Sequence, residues 1–400
     1  MCAVIATRLS HVKPSATLAL NAKVKQLLQE GKAIVNLGVG EPDFDTPAFI
    51  KQAAITAINE GFTKYTAVTG IPELKTAIID KLAKDNGLSY VPQQIIVSTG
   101  LKQALFNLLL AVLDPADEVL IPAPYWASYP EMVAITGAIP VIIEGALTNQ
   151  LKITAQQLQA AITPNTKLLI LNSPSNPSGM AYTHEEWREL ATVLQAHPNI
   201  LIASDDMYEK IYWGDTPFVN ILNACPELYA RTIVFNGVSK TYAMTGWRIG
   251  YAAGPATIIE AMELIQSQST SGANSIAQKA AAAAISGPQE GVVTMAAAYQ
   301  ARHAMVYERL KNIPGVAPLF STGTFYSFPH VQGLIERLAL ADDVALCEFL
   351  LTEAGVAVLP GSSCGAPGHI RLSFAASLES LNKALDQIEI AINQRLHSHV

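Results

Sequence analysis

In the stretch Phe235-Asn-Gly-Val-Ser-Lys-Thr-Tyr-Ala-Met-Thr-Gly-Trp-Arg-Ile-Gly250, Lys240 follows an apolar run and Arg248 stands eight residues later. A lysine amine forms a Schiff base with an aldehyde, and an arginine presents the two-pronged fork that a phosphate accepts. The pair suits a phosphorylated aldehyde such as pyridoxal phosphate. A lysine after a strand is ordinarily a solvated surface group. Gly237 and Gly246, with the small residues Ser239 and Thr241, speak against that reading because they let a bulky group approach the backbone. Pyridoxal chemistry also asks for an acid facing the ring nitrogen. Ala203-Ser-Asp-Asp-Met-Tyr-Glu209 offers Asp205 together with Tyr208. Taken alone, Asp205 serves equally well as the cap of a following helix. A third segment, Leu171-Asn-Ser-Pro-Ser-Asn-Pro-Ser-Gly179, runs from an apolar stretch into an Asn-Pro turn, whose default meaning is a tight turn. Three strand ends therefore carry an amide, an acid and a lysine, in that order.

Strand ends need strands. Short β-rich runs recur at Gln94 to Ser98, Glu118 to Ile121, Pro140 to Ile143, Lys167 to Asn172, Ile200 to Ser204, Thr232 to Asn236 and Ile249 to Ala253. Helical patterns such as Gln103 to Leu113 and Glu185 to Gln195 lie between them. That alternation predicts an α/β fold, a sheet with helices packed over it, and such sheets bind ligands at the carboxyl ends of their strands. From Thr257 the pattern changes to long helices (Ile258 to Gln268, Ser275 to Ile285, Met295 to Leu310), interrupted by Ser286-Gly287-Pro288, where a domain connection is expected. The remainder mixes strands (Thr324 to Phe328, Val356 to Leu359, His369 to Phe374) with helices (Val344 to Glu353, Leu378 to Gln394), as a smaller α+β unit would. The alanine run Ala280 to Ala284 reads as a close-packed helix.

The 400 residues are 50% hydrophobic and 15% charged, which excludes disorder and favours two domains or one large domain with a satellite. A formal net charge of −7 offers no footprint for nucleic acid or an anionic membrane, so small molecules are the expected partners. Four scattered cysteines (Cys2, Cys225, Cys347, Cys364) make neither a disulfide framework nor a metal site, and none is expected. The apolar start Cys2 to Ala6 is too short for a signal peptide, and no run approaches the ~18 apolar residues of a membrane span. A cytoplasmic enzyme is expected.

Taken in order and spacing, the Asn-Pro-x-Gly turn, the Asp-x-x-Tyr pair and the Ser-Lys-x-x-x-Met-Thr-Gly-Trp-Arg-Ile-Gly block resemble the fold-type I PLP-dependent aminotransferases, specifically the bacterial and archaeal branch of the class I aspartate aminotransferase family. The resemblance spans almost the whole chain. It implies a large PLP-binding domain over 46–290, with a mostly parallel central sheet covered by helices, and a small α+β domain built from 1–45 and 291–400. It implies that Lys240 carries PLP as the internal aldimine and then moves the substrate's proton. Asp205 would pair with the ring nitrogen, Asn176 and Tyr208 would donate to the phenolic oxygen, and Trp126 would stack on the ring. Arg248 would bind the phosphate together with the backbone of Gly100, Leu101 and Lys102 at a helix start. Tyr65 would reach the phosphate of the neighbouring subunit, which implies a homodimer. Arg371 would grip the substrate α-carboxylate, with Gly40 closing over it. Lys102, with hydroxyls from Ser15 and Thr17, would meet the distal carboxylate. The activity implied is transfer of an amino group from aspartate, or a similar dicarboxylic amino acid, to 2-oxoglutarate by a ping-pong mechanism. Branch relatives acting on prephenate, aromatic or neutral amino acids share these features, and so could a lyase, an aminocyclopropane-forming enzyme or a non-catalytic PLP-binding regulator.

The sequence departs from the family pattern at Leu101 (a second glycine is usual), Gly237 (serine), Asp206 (glutamate) and Cys364 (phenylalanine). Leu101 is expected to narrow the phosphate turn, and Cys364 to lie near the substrate mouth. Gly361-Ser-Ser-Cys-Gly365 also spells the Gly-x-Ser-x-Gly pattern of serine hydrolases, but Ala366-Pro-Gly368 and another strand follow it instead of a helix. Gly38-Val-Gly40 lacks the third glycine of a dinucleotide site.

Overall fold

The computed structural model describes residues 5–398, so Cys2 and the first part of the apolar stretch Cys2 to Ala6 lie outside the described residues. Twelve strands can be named among them: β1 (Val35–Asn36), β2 (Ile95–Thr99), β3 (Glu118–Ala123), β4 (Ile139–Glu144), β5 (Thr166–Asn172), β6 (Leu201–Asp205), β7 (Thr232–Gly237), β8 (Ile249–Ala253), β9 (Tyr326–Ser327), β10 (Val356–Ala357), β11 (Leu359–Pro360) and β12 (Ile370–Ser373). Seven of them form one sheet in the order β2-β8-β7-β6-β5-β3-β4. All its pairings are parallel except those of β8, which runs against both neighbours. Every residue of β7 and β8 is buried. That is why the strands appear in the sequence as continuous apolar runs rather than as alternations.

Helices cover both faces. Glu290–Lys311 and Leu378–Ser398 pack together beside β9 and β10, while the main sheet carries Leu101–Val112, Ser128–Thr136 and Ala256–Ser267 on one side and Pro72–Asn86, His184–Gln195 and Ser275–Ser286 on the other. The alanine run buries Ala280, Ala281, Ala282 and Ala284 in the last of these, where small side chains let helices approach closely. Local chemistry sets the ends. Thr183 and Glu186 form a capping box at the start of His184–Gln195, and Pro72 opens its helix at a position where a missing N–H costs nothing.

The remaining strands make a three-stranded antiparallel sheet, β11-β12-β9, and a parallel pair, β1-β10, which ties the N-terminal segment to the C-terminal part of the chain. The expected strand Thr324 to Phe328 shortens to β9, and Val356 to Leu359 divides into β10 and β11, which pair with different partners. No helix follows Asp205. Residues 206–210 form a turn in which Asp205 Oδ1 accepts the Met207 N–H at 3.1 Å, so the helix-capping reading fails. Residues Gly361–Cys364 form a single 3-10 turn before β12, and Ser363 Oγ donates to Pro360 O at 2.7 Å, which is no nucleophile elbow. Among the described residues, no helix is long and apolar enough to cross a membrane, and no three His, Cys, Asp or Glu side chains are grouped to hold a metal.

Candidate active site

The carboxyl ends of β2, β5, β6 and β7 and the start of antiparallel β8 meet at one edge of the sheet, where the strand order reverses its chain sequence. Asn172 ends β5 directly opposite Asp205, which ends β6. Asp205 is only 5% exposed, and Tyr129 donates its hydroxyl to Oδ2 at 2.5 Å. Burial pushes the Asp205 carboxyl up to about 6, against the opposing pull of the Tyr129 and Met207 hydrogen bonds. Its neighbour Asp206 turns the other way, held by Ser204 and Asn220.

Lys240 lies three residues past β7. Its Nζ donates to Gly40 O at 2.5 Å and sits 5.9 Å from the Phe325 ring centre. Burial pulls this amine down to about 8. The Glu41 carboxylate opposes that shift, and the guanidiniums of Arg371 and Arg248 reinforce it. Glu41 is itself bonded by the Thr245 hydroxyl.

Arg248 has a left-handed backbone (φ 56) and anchors Nη1 on Thr245 O at 3.0 Å. Its guanidinium fits against Gly100, where an added Cβ would collide with it, and Gly100 has φ 81, a conformation suited to glycine. Gly100 donates its own N–H back to Ser98 O at 2.7 Å, so it is not one of the free donors expected of it. The N–H groups of Leu101 and Lys102, at the first turn of Leu101–Val112, meet no acceptor among the described residues. Leu101 does not narrow this turn, because its side chain is buried in the core. Lys102 is exposed, with its ammonium 4.7 Å from the Trp126 ring centre. Burial first, then Arg248, lowers its pKa.

Arg371, in β12, is 4% exposed. Nη1 donates to Asn176 Oδ1 at 3.1 Å and Nη2 to Gly38 O at 2.8 Å, while Nε is buried without a partner. The glycine carbonyl on Arg371 is thus that of Gly38, and Gly40 faces Lys240 instead. Tyr208 shares a hydrogen bond with the Tyr326 hydroxyl at 3.1 Å.

Some expected residues stand apart. Ser15 caps the helix Ala16–Gln29 and is exposed, and among the described residues no hydrogen bond joins Ser15 or Thr17 to Lys102. Tyr65 is 99% exposed on this single chain. Gly246 has open space around it. Gly237 is crowded by Ile249 O, Gly250 and Met207, so it serves the β7–β8 contact rather than a ligand. Cys364 is buried with Leu151 and Phe328, and its thiol senses the charge of Arg371 in the site. Tyr129, Tyr326 and Glu41 escape the sequence reading. Only Tyr129 carried a signal, lying three residues after Trp126, against whose ring it packs edge-on at 5.4 Å.

The family model for aminotransferase class I and II matches residues 32–388. An aspartate/prephenate aminotransferase of Nitrosomonas europaea is 53% identical over 390 residues, covering 96% of this chain and 98% of that protein. An aspartate aminotransferase of Geobacillus stearothermophilus is 50% identical, with coverage of 96% and 98%. Among solved structures, the aspartate aminotransferase from Rhizobium meliloti superimposes with a TM-score of 0.94 at 44% identity, over 98% of this chain and 99% of that one. The Thermus thermophilus aspartate aminotransferase with maleate gives 0.91 at 40% identity, over 97% and 100%.

Proposed function

Because the chain belongs to the aminotransferase class I and II family, whose aspartate aminotransferase members depend on pyridoxal phosphate, we propose that it moves the amino group of aspartate, or of a similar dicarboxylic amino acid, to 2-oxoglutarate. The residues present suit the cofactor. Arg248 is folded against a glycine at positive φ where a side chain would push the guanidinium aside, two helix-start N–H groups are free, and a buried carboxyl faces the same edge. Bound pyridoxal phosphate supplies an electrophilic carbonyl carbon and an electron-withdrawing ring.

The chain's own groups then have these parts. Arg248 and the N–H groups of Leu101 and Lys102 hold the phosphate dianion. Asp205, ionised, keeps a proton on the ring nitrogen, and Tyr129 orients Asp205 by its hydrogen bond. Asn176 and Tyr208 donate to the ring oxygen, and Trp126 covers the ring and excludes water. Lys240, with its amine drawn toward neutrality, would be the residue that attaches the cofactor. The same amine would take and return the proton at the substrate Cα. Arg371 binds the α-carboxylate through Nε and an Nη as a fork. Lys102, with Ser15 and Thr17, meets the distal carboxylate. The fully exposed Tyr65 fits a homodimer in which it serves the partner's phosphate. The β1-β10 pairing supports a small domain of 1–45 and 291–400 beside a large one of 46–290. A cytoplasmic location fits this reading.

The observation that carries the reading is the Arg371 Nε, buried and unpartnered at the same edge as Lys240 and Asp205, where it calls for a carboxylate. The test is a set of half-reactions, each amino acid mixed with the holoenzyme and the cofactor absorbance followed. Aspartate and glutamate should convert it fastest. Conversion by neutral amino acids alone, or by none, overturns the assignment. The Nitrosomonas europaea relative favours prephenate as a second acceptor, tested by the reverse half-reaction.

A further inference from the structure

Tyr326 is 1% exposed in β9, and a buried aromatic there could be simple core filling. Its contacts indicate a more specific part. In the antiparallel β9–β12 pair Tyr326 lies opposite Ser373, which makes Arg371 its diagonal neighbour on the same face, within reach of long side chains. The Arg371 guanidinium carbon stands 4.4 Å from the Tyr326 ring centre. The Tyr326 hydroxyl meets the Tyr208 hydroxyl at 3.1 Å and is seated so tightly on Gly40 that a Cβ there would collide with it. Gly40 in turn holds the Lys240 amine. One side chain thus spends its ring face on Arg371 and its hydroxyl on Tyr208.

We propose that Tyr326 is a positioning residue that braces the carboxylate grip of Arg371 with its ring and the donor Tyr208 with its hydroxyl. The inference rests on the parts assigned above to Arg371 and Tyr208. Either hydroxyl of the pair can donate. When Tyr208 turns its proton toward an acceptor in the site, Tyr326 becomes the donor to Tyr208. A donor behind a donor polarises it and strengthens the bond in front. The ring does a separate task. It fixes the plane of the guanidinium through a cation–π contact, so that Nε stays aimed at an incoming carboxylate.

The two tasks separate by substitution. Tyr326→Phe removes the hydroxyl and keeps the ring, whereas Tyr326→Leu removes both. In the holoenzyme, the Kd of the unreactive dicarboxylate maleate and the pH midpoint of the bound-cofactor absorbance are measured for each variant, with melting temperature as the fold control. Tyr326→Phe should leave the maleate Kd within about twofold. It should raise the pH midpoint by a few tenths of a unit, because a weaker Tyr208 bond stabilises the deprotonated form less. Tyr326→Leu should weaken maleate about tenfold, within the range of desolvated cation–π contacts. Unchanged maleate binding in Tyr326→Leu, or an unmoved midpoint in Tyr326→Phe, overturns the proposal. If the leucine variant does not fold, the phenylalanine midpoint decides alone. Arg371→Gln is run in parallel. If it binds maleate like the wild type, the part given to Arg371 has failed, which is a different result from a failure of Tyr326.

Discussion

Asp205 and Lys240 illustrate how burial, as the largest of several influences, moves two groups toward each other's range, the acid up to about 6 and the amine down to about 8. An acid whose folded value lies above its unfolded value binds more protons in the native state, so its ionisation opposes folding as pH rises. In the apoprotein that penalty should be absent below about pH 4 and complete above about pH 6. It amounts to roughly 3 kcal/mol for a shift of this size. Asp205→Asn should therefore gain stability over the wild-type apoprotein progressively between those limits and in full above them, read as denaturant midpoints against pH, while its turnover falls about 100-fold or more. Turnover kept intact would contradict the pairing with a ring nitrogen. Among the described residues, Glu41 is the negative group that holds the Lys240 value up. Glu41→Gln should thus lower the midpoint for modification of the apoprotein's Lys240 by small amine reagents below about 8. A rise or no change would mean that Glu41 acts only through Thr245.

The phosphate turn is a property of an element, because its donors exist only where β2 ends and Leu101–Val112 begins. Gly100→Ala should displace Arg248 and strain a backbone that favours glycine, weakening pyridoxal phosphate binding at least tenfold by equilibrium dialysis. Gly246→Ala, in open space, should bind normally, and equal losses in both would argue against a cradle. Lys102 sits on the same turn. Lys102→Ala should lower kcat/KM for aspartate and glutamate by about tenfold, the low end for a charged partner since Lys102 is exposed, with alanine little affected. The inner strands of the main sheet were legible in the sequence because two-sided burial writes them as unbroken apolar runs, and the edge strand β4 was legible by its apolar residues although it is largely half-buried or exposed. Lys240, Asp205, Asn176 and Arg248 were legible because each lies within a few residues of such a run. Pro72–Asn86 carries a start proline and a stop glycine, Gly87, yet goes unassigned when strands are read first. Tyr129 and Tyr326 could not be paired from the sequence, since their partners lie 76 and 118 residues away and only the topology joins them.

At the scale of the molecule, a fully exposed Tyr65 makes a testable claim about assembly. If it completes the partner's site, a Tyr65→Ala subunit and a Lys240→Ala subunit, each nearly inactive, should form a hybrid dimer with one complete site. Random mixing should recover about a quarter of wild-type activity, and no recovery would confine each site to one chain. Closer in, the segment that holds Gly38 and Gly40 offers its carbonyl oxygens to Arg371 and Lys240. A carboxylate that docks on Arg371 therefore exchanges with an acceptor the protein already supplies, and when it leaves, the same carbonyl takes its place. Departure then leaves only Nε without an acceptor. Such a swap lowers the cost of release as well as the gain on binding, so this backbone segment sets how briefly a product lingers.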